Sequence, residues 1–225
     1  MYERYYAKHG ADRNDLLTNS GVTFQAFAFE RANIRALQGL GLDREQAKVL
    51  DVGCGTGSSL LQFIKLGFLP ENLAGVDSGA ERIEHARARF PNVEFRSESA
   101  EKMSFGDSTF DIVFESTLFT MLTSEDVARK IAREMLRVTK PGGYVMMADW
   151  RYAEPNSKDH RAMSSKRIAS LFDVGSSTNI VARERGALIP PLGRFLSRRA
   201  PSLYFVVQAL VPFAVGQIST VLRKL

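Results

Sequence analysis

Short apolar runs recur through the middle of the chain, at 48–52, 73–77 (LAGVD), 93–97 (VEFRS), 110–116 (FDIVFES) and 144–150 (YVMMADW). Each is bounded by polar or turn-forming residues and is too short for a stable helix, which predicts five strands. Between them, 57–66, 79–89 and 124–138 carry apolar residues at helical spacing, and the last is closed by KPGG, a helix stop signal. Strands alternating with helices at this spacing imply βαβ units on a parallel sheet. Upstream, Val22, Phe24, Phe27, Ala28, Ile34 and Leu37 predict a helix over 22–40 with one broad apolar face, and 2–20 reads as a loose helix. Downstream, a proline-started helix from about 190, an apolar stretch over 203–215 and a last strand in QISTVLRK complete the pattern.

The 225 residues suffice for one α/β domain. No run of about 18 apolar residues occurs, so no spanning helix is expected. The start, MYERYYAKHG, lacks the apolar region of a signal peptide. Cys54 is the single cysteine, and His9, His85 and His160 lie far apart, so neither a disulfide framework nor a metal site is expected, and the reading is a reducing, cytoplasmic compartment. The net charge of +5 is uneven: residues 151–225 hold 12 Lys and Arg against 4 Asp and Glu. That excess is either a solvated face or a surface for phosphates, nucleic acid or anionic lipid heads.

The candidate chemistry sits in VLDVGCGTGSSL, residues 49–60. Gly53, Gly55 and Gly57 follow the first strand directly, at the sheet edge where open α/β folds bind ligands. Glycine permits a tight turn and close approach of a ligand to the backbone. Asp77 ends the second strand, where a carboxylate can accept hydrogen bonds from ribose hydroxyls. A nicotinamide dinucleotide fits poorly, because Ser58 replaces the third glycine of its fingerprint. Asp51, inside the strand, would repel a pyrophosphate and suit a cation. The cofactor should therefore combine ribose, adenine and positive charge.

VLDVGCGTG resembles motif I of the class I S-adenosylmethionine-dependent methyltransferases, and GVD at 75–77, FDIVFES at 110–116 and RVTKPGGYVMM at 137–147 are similar to the later motifs in order and spacing. The resemblance covers roughly residues 45–150. It implies a Rossmann-like three-layer α/β sandwich whose mostly parallel seven-stranded sheet has an antiparallel last strand. It also implies S-adenosylmethionine as cofactor and S-adenosylhomocysteine as product. On this resemblance Asp51 would hold the methionine amino end. Gly53, Cys54, Gly55, Thr56 and Gly57 would form the loop at the methionine and ribose, and Asp77 with Ser78 would serve the ribose. Ser99, Ala100 and Glu101 stand where the family often has Asp-Ala-Glu at the adenine, with Glu98 a substitute for the missing aspartate. Glu115 and Ser116 would lie beside the methionine and sulfonium. Residues 1–44 would form a helical lid carrying Tyr5, Tyr6 and His9, 45–150 the cofactor core, and 151–225 the substrate side.

Methyl transfer to oxygen needs a base, and Asp149, ending the fifth strand, and His160, just beyond it, are the candidates. The basic tail with Arg194, Arg198 and Arg199 resembles those of methyltransferases associated with bacterial surface polysaccharides. That implies O-methylation of a sugar, nucleotide-sugar or lipid-linked glycan, the basic excess fitting a phosphate-bearing acceptor; in the membrane-facing reading of 203–215 the three arginines would instead meet lipid phosphates. The alternatives are an RNA methyltransferase, for which no RNA-binding module is visible, a quinone or lipid methyltransferase, and a cofactor-binding protein without catalysis. The apolar stretch 203–215 reads as core, or else as a patch at the inner face of a membrane. Oligomeric state is open.

Overall fold

The computed structural model describes residues 14–153 and 160–225. A short turn at Ser20–Val22 leads into α1 (Thr23–Leu37), β1 (Val49–Val52), α2 (Leu60–Lys65), β2 (Leu73–Asp77), α3 (Ala80–Arg89) and β3 (Glu94–Ser97). β4 (Phe110–Ser116), α4 (Leu118–Met121), α5 (Glu125–Val138), β5 (Thr139–Trp150) and α6 (Ser165–Leu171) follow. The chain closes with β6 (Thr178–Arg185), α7 (Pro190–Arg199), α8 (Tyr204–Leu210) and β7 (Gln217–Lys224). One seven-stranded sheet forms in the order β3-β2-β1-β4-β5-β7-β6. β1 to β5 pair in parallel, and β7 is antiparallel to both β5 and β6. This is the Rossmann-like α/β arrangement expected, with QISTVLRK as the antiparallel strand.

The pairing fixes which ends of the strands meet. β1 to β5 finish at one edge, with Asp77, Ser116 and Trp150 at their tips, and β6 finishes there at Arg185. β7 begins at that same edge, so residues 186–216 leave the sheet and return to it on one side.

Alternate strand residues face opposite sides of the sheet and feed two cores. Leu50, Val52, Val113, Val145 and Met147 pack under α5, while Val49, Ile112, Phe114 and Met146 pack under α2 and α3. α5 shows why such helices form. Ser124 caps it by accepting from the Val127 amide, Glu125 and Asp126 occupy its first turn, and Arg137 lies in its last. Ala128, Ile131, Ala132, Met135 and Val138 form its single buried face.

Four expectations are corrected. α1 buries Ala28, Ala32, Asn33 and Ala36, not the phenylalanines; Phe27 is half exposed. Small side chains let the helix lie close to the sheet, and Asn33 joins it to β7 and α2 by accepting from Ser219 Oγ (2.6 Å) and donating to Gln62 Oε1 (3.0 Å). α2 begins only at Leu60, because Thr56 to Ser59 form a turn. α5 ends at Val138, just ahead of KPGG as the stop signal implies, but β5 starts at Thr139 and not at 144, with the register to β4 slipping between Phe110 and Ile112. β6 and α6 were not foreseen in the polar segment after 151.

Candidate active site

Beyond Val52 the chain folds back over the tip of β2. The amides of Gly53 and Cys54 both donate to Val76 O (2.8 and 3.0 Å), and the Gly55 amide donates to Asp77 Oδ2 (3.1 Å). Gly53, Gly55 and Gly57 all have left-handed backbone, with φ of +75°, +54° and +77°. Their surroundings differ. A Cβ on Gly57 would lie 2.9 Å from the Phe95 ring, and one on Gly53 would lie 3.1 Å from Leu118 Cδ1. A Cβ on Gly55 would meet nothing within 4 Å. Gly53 and Gly57 thus allow close packing, and Gly55 faces open space. Cys54 is buried against Gly75, and burial pushes its thiol far above the usual range, so it is a packing group and not a nucleophile. Thr56 Oγ1 shares a hydrogen bond with Ser58 Oγ (3.3 Å).

Asp77 at the tip of β2 is buried and already engaged. Its Oδ1 accepts from the Gly79 amide (2.8 Å) and from the Arg82 guanidinium (2.6 Å). The carboxylate expected to meet ribose hydroxyls therefore carries an ion pair that the motif did not announce. Glycine at 79 makes room for it, since a Cβ there would lie 2.6 Å from Arg82 Nε. Ser78 is exposed. Ser99 is exposed, and its Oγ accepts from the Glu101 amide (3.2 Å). Glu101 pairs with Lys130 (3.1 Å), and half-buried Ala100 packs on the core. Glu98, the suggested substitute, accepts from the Ser104 amide (3.0 Å), while its own amide donates to Asp77 O (3.1 Å).

Three carboxyl groups lie buried on the neighbouring strands β1, β4 and β5: Asp51, Glu115 and Asp149, each 3% exposed or less. Asp51 Oδ2 and Glu115 Oε1 have no hydrogen-bond partner. Burial, reinforced by the negative charge of Asp77, pushes Asp51 up to about 8. Glu115 is held well above the usual carboxyl range by burial and by Asp149 beside it. Its Oε2 accepts from the Leu118 amide (2.9 Å).

Asp149, named above as a base, has both oxygens occupied. Oδ2 accepts from the Thr120 amide (2.9 Å), and Oδ1 accepts from the Trp150 amide (2.7 Å) and from the Thr120 hydroxyl. Burial raises it to about 6 against those bonds. These bonds fasten α4 to β5. Between β4 and α4, Ser116 is half-buried and Thr117 is left-handed with φ of +58°, a strained state for a β-branched residue. His160 is half-buried. The following residues dock beside the site, the Arg161 amide donating to Thr120 O (2.8 Å) and the Met163 amide to Trp150 O (2.7 Å). Tyr5, Tyr6 and His9 lie outside the described residues.

Sequence reasoning missed Arg82, Thr117 and Thr120. Arg82 lies on a helix rich in arginine and glutamate, and no pattern in the chain separates it from its neighbours. Among the described residues no group of three or more His, Cys, Asp or Glu could hold a metal ion.

Residues 49–143 match the family model described as methyltransferase domain. The demethylmenaquinone methyltransferase of Chlorobaculum parvum is 38% identical over 98 residues, which are 44% of this chain and 39% of that one. The 2-methyl-6-phytyl-1,4-hydroquinone methyltransferase of Synechocystis is 34% identical over 117 residues, 50% of this chain and 33% of that one. The chain thus spans well under half the length of these relatives. The PH0226 protein of Pyrococcus horikoshii shares the fold over 99% of both chains, with a TM-score of 0.63 at 19% identity. S-adenosylmethionine is the cofactor of this family, and the residues present fit it: a left-handed glycine open to a ligand, an acidic strand tip beside it, and a buried carboxyl oxygen with no partner.

Proposed function

We propose that this chain, whose residues 49–143 match a methyltransferase domain, is of the class I, S-adenosylmethionine-dependent kind and methylates a lipophilic acceptor of the quinol class. The observation that carries the cofactor part is Asp51 Oδ2, buried, without a partner, on the strand that runs into the Gly55 turn. A neutral ligand gains little from such a group, whereas an ammonium supplies the charge and donors it lacks. The acceptor part is supported by the two relatives, whose names carry a menaquinone and a phytyl hydroquinone, and by the apolar residues of 186–216 at the same sheet edge. The sugar acceptor expected from the tail gives way to this reading, because neither relative names a glycan.

Bound S-adenosylmethionine supplies a methyl group already activated for displacement on a sulfonium. The chain's own residues bind and align. Asp51 gives up its proton and holds the amino end. Gly55 brings bare backbone to the ligand. Asp77 turns from Arg82 to the ribose hydroxyls. Glu115, held well above the usual carboxyl range by burial and by Asp149, lines the floor beside it. The barrier falls through proximity and orientation. We assign removal of the acceptor's proton to His160, supported by its half-buried position next to the segment docked on Thr120 and Trp150.

The test is transfer of labelled methyl from S-adenosylmethionine to a prenylated hydroquinone, a nucleotide sugar and RNA, offered separately. Label in the hydroquinone, lost in Asp77→Ala, is expected. Label in the sugar or the RNA alone would overturn the acceptor class.

A further inference from the structure

We propose that the insert between β6 and β7 docks the protein onto a membrane surface bearing anionic lipid headgroups. The inward side of the insert is a small core of its own. Leu188, Leu196, Tyr204, Ala214 and Val215 are buried together against Ala28 of α1. Buried polar contacts lock it in place: the Leu188 amide donates to Tyr204 Oη (3.1 Å), and Gln208 Nε2 donates to Arg185 O (3.2 Å). Arg185 and Tyr152 hold its far end by donating to Ala209 O (3.0 Å) and Phe213 O (3.1 Å).

The outward side is apolar where a soluble surface should be polar. Leu203, Val206, Leu210 and Phe213 are 50%, 48%, 75% and 75% exposed. Leu203, Val206 and Leu210, spaced by three and four residues, share one stripe around α8, opposite buried Tyr204 and Gln208, and Phe213 follows in the turn Pro212–Ala214. Phe195, 60% exposed, shares a depression on α7 with Arg194, Arg198 and Arg199. Arg198 also donates to Asn19 Oδ1 (2.8 Å).

Charge selects the occupant. Residues 186–222 contain those three arginines and no aspartate or glutamate, and 200–222 contain no charged side chain at all. A large apolar residue among guanidinium groups, next to an uncharged apolar stripe, matches an interface of acyl chains beneath phosphates. The insert sits at the sheet edge that carries the carboxyl cluster, so a docked protein would take a lipophilic molecule from the layer it rests on. No helix among the described residues is long and apolar enough to cross a membrane, which makes this surface contact and not insertion.

The full chain is sedimented with vesicles of phosphatidylcholine, with and without phosphatidylglycerol. Binding to the anionic vesicles is expected, weaker by about a hundredfold on the neutral ones for three basic residues. Leu210→Glu with Phe213→Glu should lose at least tenfold, and Arg199→Gln should weaken binding to anionic vesicles only, while S-adenosylmethionine affinity stays unchanged in both. No binding by the unaltered chain, or equal binding by the variants, overturns the proposal. So does a concentration-dependent dimer in solution, abolished by the same substitutions without any vesicle binding, which would make a second copy the occupant. Cofactor affinity and methyl transfer are read separately, so failure here and failure of the quinol reading are distinguishable.

Discussion

At Asp51, burial and the nearby Asp77 keep the carboxyl neutral until about pH 8, whereas in the unfolded chain it ionises near its ordinary 3.8. The folded value is raised, so the stability this residue contributes is intact below about pH 4 and is lost as pH rises through about 8. Asp51→Asn should therefore gain stability relative to the unaltered protein between those limits, as thermal melts across pH would show. Equal pH dependence in the two proteins would contradict the assignment. Asp77 makes a second prediction. Asp77→Ala removes both the Arg82 ion pair and the acceptor on Gly55, and should abolish S-adenosylmethionine binding measured by calorimetry, with circular dichroism unchanged. At this scale the sequence was informative about where the glycine turn and its carboxyls stand and silent about their partners. Asp51, Gly55 and Asp77 were legible because strand, turn and acid stand in motif order. That Arg82 sits on Asp77, and that Asp149 is saturated by Thr120, depends on long-range packing that no local pattern encodes.

The short helix α4 depends on one such packing contact. Thr120 donates to Asp149 from both its amide and its hydroxyl, in a buried setting where a carboxyl oxygen short of a donor is costly. Thr120→Val should destabilise the protein by about 1–3 kcal/mol in chemical denaturation, and Thr120→Ser should restore most of it. β1, β2, β4 and β5 were readable because central parallel strands, buried on both faces, are continuous apolar runs. β6 was not, for the opposite reason. As an edge strand it is largely exposed, and in TNIVARER only Ile180 to Ala182 are apolar, between polar and charged residues. The 203–215 stretch was legible as apolar, but composition alone did not reveal that one of its faces points outward. The burial of Tyr204 and Gln208 and the exposure of Leu210 and Phe213 supply that distinction.

On the scale of the whole molecule, the sheet brings everything to one edge. The glycine turn, the three buried carboxyls, the segment after His160 and the insert all project from where β1 to β6 end and β7 begins. The fold thus sets buried carboxyls beneath an apolar approach, an arrangement that suits the proposed pairing of a polar methyl donor with a lipophilic acceptor. Its foundation is that the floor receives a cation. Calorimetric titration of S-adenosylmethionine into the protein at pH 7, in buffers of differing ionisation enthalpy, measures this directly. With Asp51 at about 8, binding should release close to one proton, affinity should rise with pH toward that value, and Asp51→Asn should abolish the release. Binding with no proton release, or the same release from Asp51→Asn, would contradict the account.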